Sequence, residues 1–356
     1  MAKQKKSLKG KRIALSVLCV LLGIVLVVMA GATVLADSIL GNMNYVDKAQ
    51  TESLSLEDAE ALMQQMTENT EADEDFDGPE LSVDDLDLDV VITEPIGEQK
   101  HITNILLIGQ DSQKGIRERS DSMMLVTVNT NKNTIVITSF MRDMYVKIPG
   151  YYKEKMNAAY MLGGMDLLNQ TLYENFGVVV DHNVEVSFGQ FREIIDYLGG
   201  IDMELTAKEA AFVNDAVNAE KIFMYEGMNH MDGLRTLAYA RYRDKGTGDF
   251  GRTERQRKTM NALIEKYKSS DLTTMIGMVN ELMGMITTNM TKTEVLAYAV
   301  RFFPMLASAE IVSQRVPFDG KHTNGKDYYY MAKINEISVV VPRLNENVER
   351  LAESLS

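Results

Sequence analysis

Residues 13–36 form a run of 24 amino acids without a charged side chain, directly behind six Lys and Arg residues. A helix of that length spans roughly 36 Å, which is enough to cross a hydrocarbon core of ~30 Å. The positive-inside rule then predicts a cytoplasmic tail (1–12), a transmembrane helix (13–36) and an extracytoplasmic remainder. A cleaved signal peptide is the alternative, because residues 30–32 (AGA) resemble a cleavage site. The run exceeds the usual apolar region of a signal peptide, so we expect an uncleaved, single-pass protein of the cell membrane.

The negative charge of the chain is concentrated in one segment. Residues 37–100 carry 19 acids and two bases, whereas residues 101–356 carry 32 acids and 29 bases. A dense run of like charges predicts an extracytoplasmic spacer, in which only Leu54–Met66 has the pattern of a short amphipathic helix. The net charge of −14 argues against nucleic-acid binding, and a single Cys excludes an intrachain disulfide.

Apolar runs that end at Gly, Asn or Asp alternate with helical patterns from residue 101 onward. Buried strands are predicted at 101–109, 123–129 and 134–139, and helices at 165–176 and 190–198. Because strands and helices interleave, the sequence predicts an α/β fold: a layered α/β/α domain with a central mixed sheet, over residues 101–356.

Two acidic residues stand beside predicted strands. Asp111 follows the strand at 101–109, and Asp121 precedes the strand at 123–129. Two carboxylates that converge at one edge of a sheet can hold Mg²⁺ together with phosphate oxygens. The alternative is a structural role, in which Asp121 caps its loop and pairs with Arg119.

Arginine is concentrated near the glycine-containing loop 246–251. Five of the 15 Arg residues lie between positions 241 and 257, on both sides of that loop. Arginine makes bidentate contacts with phosphate groups, so this arrangement is typical of a polyanion site. A solvated helix face is the simpler explanation for part of the cluster.

Seven motifs between residues 102 and 265 resemble the LytR-CpsA-Psr family of cell-wall glycopolymer transferases, in the family's order. They are NILLIGQD at 104–111, RSDSMM at 119–124, SFMRD at 139–143, KMNAAY at 155–160, DYLGGI at 196–201, LAYARYR at 237–243 and GDFGRTERQ at 248–256. The chain departs from the family pattern at Met141, where Pro is frequent, and at Gln113, where Arg is frequent.

The resemblance implies a role for each matching residue. Asp111 and Asp121 fall on the positions that coordinate Mg²⁺ in the family. Asp121, Arg142, Arg241 and Arg243 match positions that act on the pyrophosphate, and the resemblance implies that they are catalytic. Arg119, Lys155, Arg252 and Gln256 match positions that bind the substrate.

The implied activity is transfer of a glycopolymer from a polyprenyl-pyrophosphate carrier in the membrane onto peptidoglycan, in a Gram-positive-type envelope. Such a phosphotransferase needs positioning and charge stabilisation more than covalent chemistry. Two alternatives stay open from the sequence. One is hydrolysis of the polyprenyl pyrophosphate, and the other is a membrane-anchored lipid-binding or regulatory protein without turnover.

Overall fold

The computed structural model describes residues 44–46, 53–67, 88–110, 117–218, 222–268, 281–328 and 336–356. The strands in this part of the chain are β1 (Asn44–Tyr45), β2 (Ile102–Gln110), β3 (Ser120–Asn129), β4 (Thr134–Phe140), β5 (Tyr145–Lys147), β6 (Lys153–Lys155), β7 (His182–Ser187), β8 (Ile201–Leu205), β9 (Gly227–Met231), β10 (Thr287–Thr288), β11 (Glu310–Val316), β12 (His322–Tyr328) and β13 (Glu336–Pro342). The named helices are α1 (Leu56–Thr67), α2 (Asn157–Phe176), α3 (Phe188–Tyr197), α4 (Ala207–Ala216), α5 (Gly233–Arg241), α6 (Gly248–Tyr267), α7 (Lys292–Leu306) and α8 (Leu344–Leu355).

A seven-stranded mixed sheet forms the centre of the fold, with strand order β1-β10-β7-β2-β3-β4-β11. Strands β2, β3 and β4 are antiparallel neighbours, while β7 runs parallel to β2 and β11 runs parallel to β4. The Asn129–Asn133 turn joins β3 to β4, and the Asn129 side chain accepts hydrogen bonds from the backbone N–H groups of residues 131 and 132. The predicted α/β fold with a central mixed sheet is therefore confirmed.

Helices cover both faces of this sheet because successive strand residues point to opposite sides. Leu106 and Leu125 are cross-strand partners, are fully buried, and belong to the main core with α2 and α8. The next cross-strand pair, Leu107 and Met124, lines a cavity on the other face, beneath α3, α5 and α6. A second core cluster joins β8 and β9 to the helices on that side.

The strand register brings four chain segments to one edge of the sheet. Gln110 at the end of β2 is paired with Ser120 at the start of β3 and with Ser187 at the end of β7. Met123 of β3 is paired with Phe140, the last residue of β4. The loop residues that continue from these strand ends therefore meet at this edge.

The predicted spacer at 37–100 is narrower than expected. Helix α1 confirms the amphipathic pattern at Leu54–Met66, and Ala59 and Leu88 are only 2% exposed within the main core. Apolar residues at helical spacing supply enough burial to hold this acidic stretch against the domain. Residues 53–67 and 88–100 therefore include parts that pack against the domain, and residues 68–87 lie outside the described residues.

The predicted transmembrane helix at 13–36 also lies outside the described residues. Within the part of the chain that the structure describes, no helix combines the length and apolar character needed to cross a bilayer.

Candidate functional site

Asp121 and Arg142 face each other at the edge of the sheet where the strand ends meet. Because Met123 is paired with Phe140, two further residues along each strand place Asp121 opposite Arg142, and the Arg142 guanidinium donates a hydrogen bond to Asp121 Oδ1. Arg252 of α6 also approaches Asp121, with Nη1 3.8 Å from Oδ1. One carboxylate thus links β3, the loop after β4 and α6.

Asp249, in the first turn of α6, holds three arginines. It forms an ion pair with Arg252, and its Oδ1 lies 3.5 Å from Arg142 Nε and 3.4 Å from Arg243 Nη2. A carboxylate is favoured at this position because the helix N-terminus carries partial positive charge. Gly251 keeps the turn tight, since a Cβ there would lie 2.1 Å from the Thr247 hydroxyl oxygen.

Lys155 is bound to the same cluster through Asp143. Its Nζ lies 3.2 Å from Asp143 Oδ1, while Arg142 Nε lies 3.6 Å from Asp143 Oδ2. Burial raises the pKa of the Asp143 carboxyl, but the charges of Lys155, Arg142 and Arg252 outweigh this effect and lower the pKa below its usual range. Asp143 therefore stays ionised and fixes the two cations beside it.

The Asp249 carboxyl has the opposite shift. Burial, followed by the charge of Asp143, raises its pKa to about 6, although Arg252 and Arg142 act to lower it. Its Oδ2 atom is buried and has no hydrogen-bond partner among the described residues. Two carboxylates that share a cluster of cations titrate as a coupled pair, and Asp249 is the member with the higher proton affinity.

The cluster forms one end of a cavity of about 500 Å³ between the sheet and helices α3, α5 and α6. The charged and polar residues that line it are Asp121, Ser122, Arg142, Arg241, Arg243, Arg252, Gln256 and Thr259. The apolar walls include Leu107, Met124, Val186, Phe188, Phe191, Ile194, Leu237, Met260 and Leu263. A cavity with cations at one end and apolar walls fits a ligand that joins a polyanion to a hydrocarbon chain.

The predicted residues Arg241, Arg243 and Gln256 are thus brought to the cavity. Arg241 ends α5 with its guanidinium 4.6 Å from the centre of the Phe188 ring, and Arg243 keeps 44% of its side chain exposed. Arg255, in contrast, is buried against Glu209 and Tyr242. It stabilises the neighbouring core, so the arginine cluster divides into site residues and structural residues.

Arg119 and Lys155 lie behind the cavity wall. Arg119 donates a hydrogen bond to Asn157 Oδ1 at 3.0 Å and has Glu154 Oε1 at 3.8 Å, and Lys155 is 9% exposed in its pair with Asp143. Neither residue is among those that line the cavity. In this arrangement both hold the loop after β4 and the start of α2 in place.

Two side chains with oxygen atoms, Asp121 and Ser122, lie next to each other in the cavity. Asp121 lines the cavity beside Ser122, whose hydroxyl is buried without a hydrogen-bond partner in the described part of the chain. Asp111 lies outside the described residues, and those residues contain no group of three or more His, Cys, Asp and Glu side chains arranged for a metal. One carboxylate and one hydroxyl fit Mg²⁺, which takes few protein ligands and completes its shell with phosphate oxygens and water.

Sequence reasoning left two residues of the site unassigned. Asp249 was part of a matching motif without a role, although its position three residues before Arg252 at a predicted helix start is a usable signal. Ser122 had no signal, because only the strand register directs its hydroxyl to the cavity.

The model of the LytR_cpsA_psr family matches residues 54–345. A teichoic acid transferase of Bacillus anthracis, TagU, is 32% identical over 232 residues, which cover 64% of this chain and 73% of TagU. The regulatory protein MsrR of Staphylococcus aureus is 36% identical over 160 residues, 45% of this chain and 47% of MsrR. Among solved structures, YwtF (TagT) with bound octaprenyl pyrophosphate lipid superposes with a TM-score of 0.53 at 25% identity, covering 75% of this chain and 93% of that one.

Proposed function

Given that the chain belongs to the LytR-CpsA-Psr family, we propose that it transfers a glycopolymer from a polyprenyl-pyrophosphate carrier onto peptidoglycan. The observation that carries this proposal is the single cavity that joins an arginine cluster to apolar walls. The cations suit the pyrophosphate, and the walls suit the start of the polyprenyl chain. The octaprenyl pyrophosphate bound to YwtF (TagT) supports the same ligand class.

The charged end supplies the electrostatics that the reaction needs. A peptidoglycan hydroxyl attacks the phosphorus next to the sugar and forms a new P–O bond. Polyprenyl phosphate leaves with the electrons of the broken P–O bond, and the hydroxyl proton passes to the departing phosphate or to water. Negative charge grows on the pyrophosphate oxygens during this step, and fixed guanidinium groups stabilise it without reorganisation. Asp143 and Asp249 hold Arg142 and Arg252 in position, so their orientation is set before the ligand arrives.

The proposed cofactor is Mg²⁺, held by Asp121 and Asp111. When bound, the ion would neutralise pyrophosphate charge and favour departure of the lipid phosphate. The partly exposed carboxylate of Asp121 and the unpartnered Ser122 hydroxyl support an oxygen-ligated cation at this place.

The proposed location is the outer face of the cell membrane. Residues 1–12 would form a cytoplasmic tail, 13–36 a single transmembrane helix, and the family domain would lie outside. Protease added to intact protoplasts should digest the domain, and complete protection would exclude this topology.

The experiment that tests the activity uses the detergent-purified full chain, a synthetic polyprenyl-pyrophosphate sugar, Mg²⁺ and peptidoglycan oligomers. Mass spectrometry should detect the sugar phosphate joined to the oligomer, and a chelator should stop its formation. Release of free sugar phosphate alone would identify a hydrolase. Binding of the lipid without either product would identify a regulatory protein of the kind that the name of MsrR suggests. As a matched control, Asp202→Asn changes an exposed carboxylate on β8, paired with His230, and should leave the products unchanged.

A further inference from the structure

Large exposed apolar side chains are concentrated in one short stretch of the chain. Eleven such residues are exposed in the described part of the chain, and five of them fall within residues 222–234. We call these five the apolar rim: Ile222 (59% exposed), Phe223 (46%), Tyr225 (70%), Met228 (71%) and Leu234 (40%). Single exposed apolar residues are common on soluble proteins, whereas a contiguous group marks a surface that contacts another apolar phase.

The backbone beneath the apolar rim is fixed by side chains. The Asn214 amide accepts a hydrogen bond from Met224 N–H at 2.7 Å and donates one to Met224 C=O at 2.9 Å. The Asn229 amide makes the same pair of contacts with Tyr225, at 2.9 and 2.7 Å. Arg235 of α5 donates to the carbonyl of Ile222 at 3.1 Å. The loop therefore presents its apolar side chains in a set arrangement beside the start of α5.

Helix α5 connects the apolar rim to the charged end of the cavity. Leu234, Leu237 and Arg241 recur at i, i+3 and i+7, so they lie along one face of the helix. Leu234 belongs to the rim, and Leu237 and Arg241 both line the cavity. Their separation along the helix axis is roughly 10 Å, at 1.5 Å per residue. A lipid whose pyrophosphate lies at Arg241 and whose chain follows this face leaves the cavity at the rim.

We propose that the apolar rim inserts into the surface of the phospholipid bilayer, at the point where the polyprenyl chain passes from the membrane into the cavity. The inference rests on the proposed function, because only a substrate held in the membrane has to pass from the bilayer into the cavity. The rim includes an aromatic residue with a polar tip, Tyr225, of the type enriched at membrane interfaces. Burial of apolar side chains drives the contact, since the exposed charges next to Tyr225 and Met228 in the described part of the chain are acidic: Glu226 and Glu204, the cross-strand neighbour of Met228.

Chain length supports a membrane partner over a soluble one. The predicted anchor ends at Ala36, and β1 begins at Asn44 on the edge of the central sheet. Eight residue steps span at most about 28 Å. The domain is therefore held within one domain diameter of the bilayer, where a shallow insertion of the rim costs no extension of the tether.

The absence of Trp from the chain allows a direct test. Tyr225→Trp places a unique Trp fluorophore in the rim (70% exposed), and Tyr173→Trp places one at a less exposed surface site (42%) on α2, the helix packed against the other face of the sheet. Each full-length variant is reconstituted into phosphatidylcholine–phosphatidylglycerol vesicles whose acyl chains are brominated near the headgroup. We expect quenching of Tyr225→Trp to exceed that of Tyr173→Trp by about threefold or more, with an emission shift to the blue.

Equal quenching of the two variants would overturn the proposal. A blue shift of Tyr225→Trp without quenching would also overturn it, because it would assign the rim to a protein partner or a second copy. The readout needs no turnover, so a failure of the proposed function leaves this result interpretable.

A kinetic measurement then links the contact to substrate delivery. The double variant Ile222→Ser/Met228→Ser should raise KM for a long-chain substrate in vesicles by about tenfold, and raise it far less for a short-chain, water-soluble substrate. An equal rise for both substrates would mean that the rim only stabilises the domain, which would contradict the proposal.

Discussion

The two ends of the cavity are built on different physical principles. At the charged end, Asp121, Asp143 and Asp249 connect Arg142 and Arg252 into one network of ion pairs. Along the apolar walls, side chains such as Phe191 and Leu263 belong to no such network and pack by shape. Hydrogen bonds and ion pairs are strong only in a suitable geometry, and a buried charge that loses its partner destabilises the fold strongly. Apolar contacts, in contrast, tolerate changes in side-chain shape. The charged end should therefore tolerate almost no substitution, and the walls should tolerate many.

The largest effect is expected from Asp121→Asn. The substitution keeps size but removes the charge that pairs with Arg142 and that would hold Mg²⁺. Transfer should fall by on the order of 10²-fold, as when a major electrostatic stabiliser is lost. The melting temperature should change little, because Arg142 keeps two other carboxylate partners, Asp143 and Asp249. Rates are measured on folded protein at saturating Mg²⁺, and an unchanged rate would return Asp121 to the structural role left open by its sequence.

Arg241→Lys should cost roughly tenfold in transfer. Lysine keeps the charge but loses the bidentate geometry and the planar stacking that places the guanidinium over Phe188. Arg350→Lys, on the exposed face of α8, is the matched control and should behave as wild type. If both variants kept full activity, the cavity would need only positive charge, and the contrast between its ends would be weaker than proposed.

Asp249→Asn should change the pH profile rather than abolish transfer at every pH. In the free protein the pKa of Asp249 is raised to about 6 by burial and by Asp143, so protonation below that pH releases the arginines it holds. We expect kcat/KM of the wild type to fall about fivefold between pH 6 and 5, and the variant to lack this limb. A wild-type limb that persists in the variant would assign it to another group.

The raised pKa of Asp249 also makes the free energy of unfolding depend on pH. Between pH ~4 and 6 the folded protein binds a proton at Asp249 that the unfolded chain has already released. The contribution of Asp249 to stability therefore decreases as pH rises through this window. In thermal unfolding from pH 4 to 7, the melting temperature of the wild type relative to that of Asp249→Asn should decrease as the pH rises.

A substitution in the apolar wall should have a smaller effect. Met260→Ala shortens a flexible side chain that lines the cavity and belongs to no core cluster among the described residues. KM for a long-chain lipid substrate should rise about threefold, consistent with a partial loss of apolar contact. Val312→Ala, exposed on β11, is the control. A loss of transfer as large as that of Asp121→Asn would show that the apolar wall is as sensitive to substitution as the charged end.

Local patterns in the sequence were sufficient for much of the fold and of the site. Apolar runs and turn residues predicted β2, β3 and β4, and the glycine loop between arginines indicated the site around α6. The pairing of Asp121 with Arg142 depends on strand register, and the removal of Arg255 from the site depends on its burial against Glu209. Neither register nor burial is encoded in local composition, which is why these features required the structure.

The acidic region shows the same limit. Uniform charge suggested one spacer at 37–100, yet a few apolar side chains such as Ala59 and Leu88 were enough to dock its flanking parts. Net charge describes the solvated face of a segment, and its apolar face decides whether it packs.

Deletion of residues 71–80 should therefore have the smallest effect of all. The surrounding stretch, 68–87, has ten acidic residues and no Lys or Arg, so its self-repulsion favours a solvated connection. Loop closure entropy depends only logarithmically on loop length, so transfer should stay within about twofold of wild type. Ala59→Asp provides the contrast, because a charge at a 2% exposed position in the core should lower the melting temperature by on the order of 10 °C. A large loss of transfer from the deletion, with an unchanged melting temperature, would give the acidic stretch a direct part in the reaction and would end its description as a spacer.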